Sequence, residues 1–164
     1  MDLLPLIAAT VGAVIALSGT LLADVRRDRQ QRDRDNQQVR REIYVAFALA
    51  LNEAHDGLRQ MGNSSAPARE RPAAASRVLT EAGVYGARER LLMIATAQVA
   101  IAGEAAFLRL GEVRDVLREG ATTRSDSYRA AYLQWADAVW RFRMTVRSEL
   151  GQPVLALPIQ DQHE

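Results

Sequence analysis

The sequence predicts an all-α protein, with one N-terminal transmembrane helix continuing into a cytosolic antiparallel four-helix bundle. Three observations predict it. An uncharged apolar run occupies residues 3–23. After it, apolar residues recur at spacings of three and four, the helical period, through four segments separated by short Gly-, Ser- and Pro-containing breaks. No stretch alternates apolar with polar residues, and the β-branched residues never cluster, so nothing reads as a strand.

The first element is the apolar run from Leu3 to Ala23. Roughly 20 helical residues cross a hydrocarbon core of about 30 Å, so this run is long enough to span. A secretory signal peptide would begin with a basic segment, and only Met1 and Asp2 precede the run. No A-x-A cleavage pattern closes it. Arg26, Arg27, Arg29, Arg32 and Arg34 follow directly. A basic cluster at that place holds its side of the helix in the cytoplasm, so the expected orientation is N-terminus outside, in the cell (cytoplasmic) membrane. The same arginines lie within reach of lipid headgroups. Ala8, Gly12, Ala16 and Thr20 repeat every four residues on one face of the run. Small residues so placed let membrane helices approach closely, although Ala and Gly are also common in membrane helices that pair with nothing. Both readings stand on the sequence.

Residues 24–38, DVRRDRQQRDRDNQQ, are too polar to enter a core. Opposite charges at helical spacings, such as Asp28–Arg32 and Arg29–Asp33, allow a solvated helical stalk.

The bundle is expected over 39–151, about 110 residues, which is one ordinary domain. Its first helix carries Val39, Ile43, Phe47, Ala50, Ala54, Leu58 and Met61 on one face, widened by Tyr44 and Leu51, and stops at Gly62 before the Asn63–Pro67 loop. A second helix is expected from about Ala73 to Ile94, with Leu79, Ala82, Tyr85, Leu91 and Leu92; Gly83 and Gly86 lie inside it. Thr96 reads as an N-cap. The third helix then places Val99, Gly103, Ala106, Leu110, Val113 and Leu117 in the four-three rhythm of bundle packing, up to Gly120. Ser125 or Asp126 caps the fourth helix, which runs to about Leu150 with Tyr128, Tyr132, Trp135, Val139, Phe142 and Val146 inward.

That last helix has a second stripe, Leu133, Ala136, Trp140 and Met144. Trp140 lies about 140° round from Trp135, so the two indoles cannot share one narrow core. Either the helix is flanked on two sides, or Leu133, Trp140, Arg143 and Met144 form a contact patch for a protein partner; Trp and Arg are the residues that dominate interface energies. The tail, residues 152–164, contains Pro153 and Pro158 with Val154, Leu155, Leu157 and Ile159. It reads as a flexible segment that drapes on the bundle or docks elsewhere.

Chemistry is sparse. The chain has no Cys, which removes disulfides, thiolate metal sites and Cys nucleophiles. The net charge is +1, and no aromatic interleaves the arginines of the stalk, so no nucleic-acid partner is expected. All 21 basic residues are Arg, a bias of GC-rich coding. His163 stands near the end of the tail. His55 sits beside Asn52, Glu53, Asp56 and Arg59, but Glu53 is two residues away and faces elsewhere, so no Glu-x-x-His metal pair forms. Glu81, Glu89 and Glu104 have no common spacing. No nucleophile elbow, zinc-protease motif or phosphate-binding Gly loop is present. No catalytic, cofactor or metal residue is therefore assigned, and no small-molecule substrate is evident. The expectation is a membrane-tethered scaffold or adaptor that binds a protein partner, with a structural subunit of a larger membrane complex as the alternative.

Three stretches carry a resemblance: R-R-E-I-Y-V-A-F at 40–47, V-Y-G-A-R-E-R-L-L-M-I-A-T-A-Q-V at 84–99, and Y-R-A-A-Y with V-R-S-E-L-G inside 128–151. In these the chain resembles a group of uncharacterised actinobacterial single-pass membrane proteins with a small cytosolic helical domain. The resemblance implies the layout and no chemistry. Where members of that group often have Ser-Pro-Glu before the third helix, this chain has Thr96-Ala97-Gln98.

Overall fold

The computed structural model describes the backbone of residues 4–64 and 67–155, and within these the side chains of 31, 32, 34–64, 67 and 69–155. Every described element is helical: α1 (Leu4–Asn63), a 3-10 turn (Ala68–Glu70), α2 (Arg71–Glu81), α3 (Val84–Ile94), α4 (Ala97–Arg118) and α5 (Asp126–Glu149). The chain forms two compact units, residues 1–39 and 40–164.

In the first unit the backbone is helical from Leu4, with Pro5 in the opening turn, where its missing N–H leaves no intrahelical bond unmade. Of the apolar run only the backbone from Leu4 is described; its side chains, with the Ala8–Gly12–Ala16–Thr20 face, and those of Arg26, Arg27 and Arg29 lie outside the described residues. Among the described residues no helix is long and apolar enough to cross a membrane. Arg32 and Arg34 are exposed, and Gln31 donates to Asp35 one turn on, at 3.2 Å.

The second unit is a helical bundle. Side-chain neighbours fix its directions. Phe47 of α1 meets Phe142 of α5 edge-on, with centroids 5.3 Å apart, and His55 meets Trp135, so α1 and α5 are antiparallel. Arg109 of α4 donates to Gln134 of α5 at 2.7 Å while Gly103 faces Phe142, so α4 and α5 are antiparallel too. Gly57 faces Val78 of α2, and Gly103 faces Leu91 of α3.

The expected second helix is two. Ala82 N–H closes on Val78 O and Gly83 N–H on Thr80 O, both at 3.0 Å, which ends α2. Gly83 then takes φ 64°, a left-handed conformation that a side chain disfavours by about 1 kcal/mol, and α3 restarts at Val84. The physical reason is ordinary: a Gly at that position makes a helix stop cheaper than its continuation. Together α2 and α3 line one side of α1 and α4, bent at Gly83. The α3–α4 contact is fixed by Arg88, which grips Glu104 through Nε at 2.6 Å and Nη2 at 2.8 Å, and by the Arg88 guanidinium over Phe107.

The core is apolar and closely matched to the helical spacings. On α4, Val99, Gly103, Ala106, Leu110, Val113 and Leu117 are all buried. On α1, Tyr44, Phe47, Leu51, Ala54 and Leu58 are buried, whereas Val39, expected to start the core face, is 47% exposed. Val39 belongs to the first compact unit, and the packed unit begins at Arg40. Tyr85 and Tyr132, also expected inward, lie on the surface edge.

One polar clamp ties three helices together at one end. Glu149 of α5 accepts from the Tyr44 hydroxyl at 2.7 Å and from Thr96, with Arg40 at 3.7 Å. Thr96 occupies the N-cap position of α4, but its hydroxyl serves this clamp and makes no cap bond. Burial, reinforced by Glu149, pushes the Tyr44 hydroxyl up to about 12, so it stays a proton donor at any ordinary pH.

Gly103 is where α4 passes closest to its neighbours. A Cβ there would collide with Leu91 and crowd Phe47 and Phe142. Gly86 of α3 has open space around it. Gly103→Val should therefore destabilise the bundle by about 1–3 kcal/mol through overpacking. Gly86→Ala should stabilise it by about 0.5–1 kcal/mol through helix propensity. Denaturant midpoints of the two variants check both signs.

Candidate functional site

A groove of about 660 Å³ runs between α1 and α5. Its α1 side presents Asn52, His55, Asp56, Arg59 and Asn63, each three or four residues after the last or next to it, so that one helix face supplies them all. Its α5 side presents Tyr128, Tyr132, Trp135, Ala136, Val139 and Arg143, the same periodic face that closes the core. Thr123, from the α4–α5 loop, stands at one end and donates to Asn63.

The floor is aromatic. The His55 ring stacks on Trp135 with centroids 4.1 Å apart and planes 15° from parallel. Tyr132 lies 5.3 Å from His55 and 5.9 Å from Trp135, and it stacks on Tyr128 at 6.2 Å. Such rings at these separations contribute about 0.5–1.5 kcal/mol per pair beyond their buried area. His55 Nε2 and the Tyr128 hydroxyl are 3.2 Å apart and share a hydrogen bond. The lips are charged and amide-bearing. Arg143 donates to Asn52 across the groove at 3.2 Å, and Arg59 lies 3.7 Å from Asp56. Trp135 Nε1 is buried with no hydrogen-bond partner among the described residues.

Burial pushes the His55 imidazole below its ordinary 6.5; Asp56 opposes that and Arg59 adds to it. The ring is therefore neutral at pH 7 and can present both a donor and an acceptor nitrogen. Burial likewise raises the Tyr128 hydroxyl, with Tyr132 adding to it, so Tyr128 remains protonated. The arrangement offers flat apolar surface, neutral hydrogen-bonding groups, two guanidiniums and the Asp56 carboxylate. Among the described residues no group of three or more His, Asp or Glu could hold a metal ion.

The four residues expected as a partner patch part company. Arg143 is exposed on the groove lip. Leu133 is 48% exposed on the outer flank of α5, and Trp140 is half-buried on that flank. Met144 is half-buried, and its sulfur accepts the Leu155 N–H at 3.3 Å. Trp135 is the buried indole and Trp140 the outer one, as their spacing requires. His55, to which its sequence neighbours assign no role, lines the middle of the groove. Its signal lay in the facing helix: Tyr128, Tyr132 and Trp135 are the aromatic cluster that an antiparallel α1 brings against it. Glu89 and Glu104 converge on Arg88, away from the groove. No protein-family model, no curated protein and no solved structure matches this chain.

Because the folded imidazole binds its proton less readily than the unfolded one, the unfolded chain gains protons first on acidification. Stability from His55 is thus complete above pH 6.5 and is lost as pH falls from 6.5 through the lower folded-state value. Denaturant midpoints between pH 7.5 and 5 should fall for the unaltered chain. They should flatten for His55→Phe, which keeps the stack and removes the titration. An equal slope in both would place the pH dependence elsewhere.

Proposed function

We propose that this chain is a membrane-tethered helical scaffold or adaptor that binds a protein partner at the cytoplasmic face of the membrane. The observation that carries the binding half is the α1–α5 groove. It combines Trp, Tyr and Arg, the side chains that give most interface energy, on two helices locked to each other. Its neutral floor, with Arg143 on the α5 lip and the Arg59–Asp56 pair on the α1 lip, suits a partner segment that brings an apolar or aromatic side chain and a carboxylate for Arg143. The tether half rests on the uncharged run at 3–23 followed by five arginines within residues 26–34. A tether confines the bundle to a thin layer beside the membrane and raises its effective concentration toward any partner there.

A second reading is a structural subunit of a larger membrane complex, assembled through its transmembrane helix. The Ala8, Gly12, Ala16 and Thr20 face favours it, since such a face suits close packing on another span.

The test is capture of the full chain from membranes in mild detergent, followed by identification of what is held. Tyr132→Ala combined with Arg143→Glu should reduce the retained partner at least tenfold. Ile101→Ala, at an exposed α4 position, should leave it unchanged. A partner that survives the groove variant but is lost on Gly12→Leu with Ala16→Leu would overturn the adaptor reading in favour of the subunit one.

A further inference from the structure

The two most exposed large hydrophobics among the described residues are Met93, at 80%, and Ile101, at 71%. Leu108 is 58% exposed, and Tyr85 and Leu92 also stand open to solvent. All five lie on α3 and α4. Leu91 faces Gly103, Arg88 grips Glu104 and Tyr85 meets Phe107 edge-on, so these two helices are antiparallel and in step. Counted outward from Leu91 and Gly103, Met93 stands level with Ile101, Glu89 with Ala105 and Gly86 with Leu108.

The same residues point outward. At 100° per residue Gly86, Glu89 and Met93 fall within about 60° of one another, opposite the buried Val84 and Leu91. On α4, Ala97, Ile101 and Leu108 fall within about 40°, opposite the buried Val99 and Ala106. Gly86 is the odd member. It is exposed, its φ is not left-handed, and a Cβ built on it meets nothing within 4 Å. Nothing within the chain calls for a Gly there, and a Gly weakens the helix that holds it. The face therefore carries a hole at Gly86 and a knob, Leu108, on the same level.

We infer that this face docks a second copy of the chain, about a two-fold axis that runs along the helices between α3 and α4. Such an axis lays α3 of each copy on α4 of the other, level for level. Met93 then meets Ile101 of the second copy, Glu89 meets Ala105, and Leu108 enters the space over Gly86 as a knob enters a hole. Each match occurs twice. The ion pairs of Arg88 with Glu89 and Glu104 stay closed between them. An axis across the helices is disfavoured, because setting Met93 on Tyr85 of the second copy brings Glu89 against its own counterpart, like charge on like. Two helices ~9 Å apart and ~17 Å long give a footprint on the order of 500 Å² per copy, against ~800 Å² for a standard interface, so the dimer exchanges with monomer. This inference goes beyond the adaptor reading; it uses neither α1 nor α5 and leaves their groove open on both copies.

Sedimentation equilibrium of the full-length chain in non-ionic detergent tests it, over a range of concentrations. The unaltered chain should pass from monomer to dimer. Gly86→Leu fills the hole without a clash inside the chain, so it should raise the dissociation constant at least tenfold while the denaturant midpoint does not fall. Gly86→Leu with Leu108→Ala, which moves the knob to the other helix, should recover most of the association. The chain has no Cys, so introduced thiols report the orientation. Met93→Cys copies mixed with Ile101→Cys copies should give an oxidised cross-linked dimer. Monomer at every concentration would overturn the inference, and so would cross-linking of Met93→Cys to Tyr85→Cys in its place. Association that persists in Gly86→Leu but is lost on Gly12→Leu with Ala16→Leu would also overturn it, and would place self-association in the apolar run.

Discussion

The seam between α1 and α5 is the constraint on which the rest of the second unit depends. Along it the side chains change character in order. Tyr44 meets Glu149, Phe47 meets Phe142, Asn52 meets Arg143, His55 meets Trp135 and Tyr128, and Asn63 meets Thr123. These partners lie 105 residues apart at one end and 60 at the other, so the seam closes the longest loops in the bundle. Loop closure grows costlier only slowly with length, and buried aromatic area offsets it. Polar pairs at the two ends fix the register; the aromatic contacts between them, Phe47 with Phe142 and His55 with Trp135, contribute the buried area. With α1 and α5 so aligned, α4 packs into the remaining side through Gly103, and α2 and α3 follow the outer faces of α1 and α4.

The same seam makes the groove. At Phe47 and Phe142 the helices meet directly, whereas around Asn52–Asn63 their facing side chains are rings and amides that leave room between them. A neutral His55 is tolerated there because its burial is answered by a stack on Trp135 and a hydrogen bond to Tyr128. Protonation would bury a charge that the nearby Asp56 only partly answers and Arg59 repels. The groove's walls are thus held by contacts that also close the core.

Much of this was legible in the sequence, for a simple reason. Where a helix has one buried face, period alone identifies it: all six α4 positions from Val99 to Leu117 are buried, and the spacing of Trp135 and Trp140 separates the inner indole from the outer. The failures have equally local causes. Gly83 and Gly86 look alike in sequence, yet only Gly83 takes the left-handed turn that divides α2 from α3. Val39 continues the apolar period of α1 but has no neighbour to cover it. Thr96 occupies a cap position while its hydroxyl answers Glu149, a residue 53 positions away. The groove itself was illegible because it is a property of two faces; neither His55 nor the tyrosines of α5 signal it until the helices are antiparallel.

The account's central claim is that α1 from residue 40 onward and α5 form one cooperative unit. Native-state amide hydrogen exchange on the full chain tests it most directly. The claim predicts that amides of 47–58 and 131–142 share the slowest opening and the same denaturant dependence, while 71–94, interrupted at Gly83, opens at lower free energy. Slow exchange in 131–142 with independent, faster opening of 47–58 would contradict it, because α5 would then be held by α4 alone and the groove would have no fixed wall.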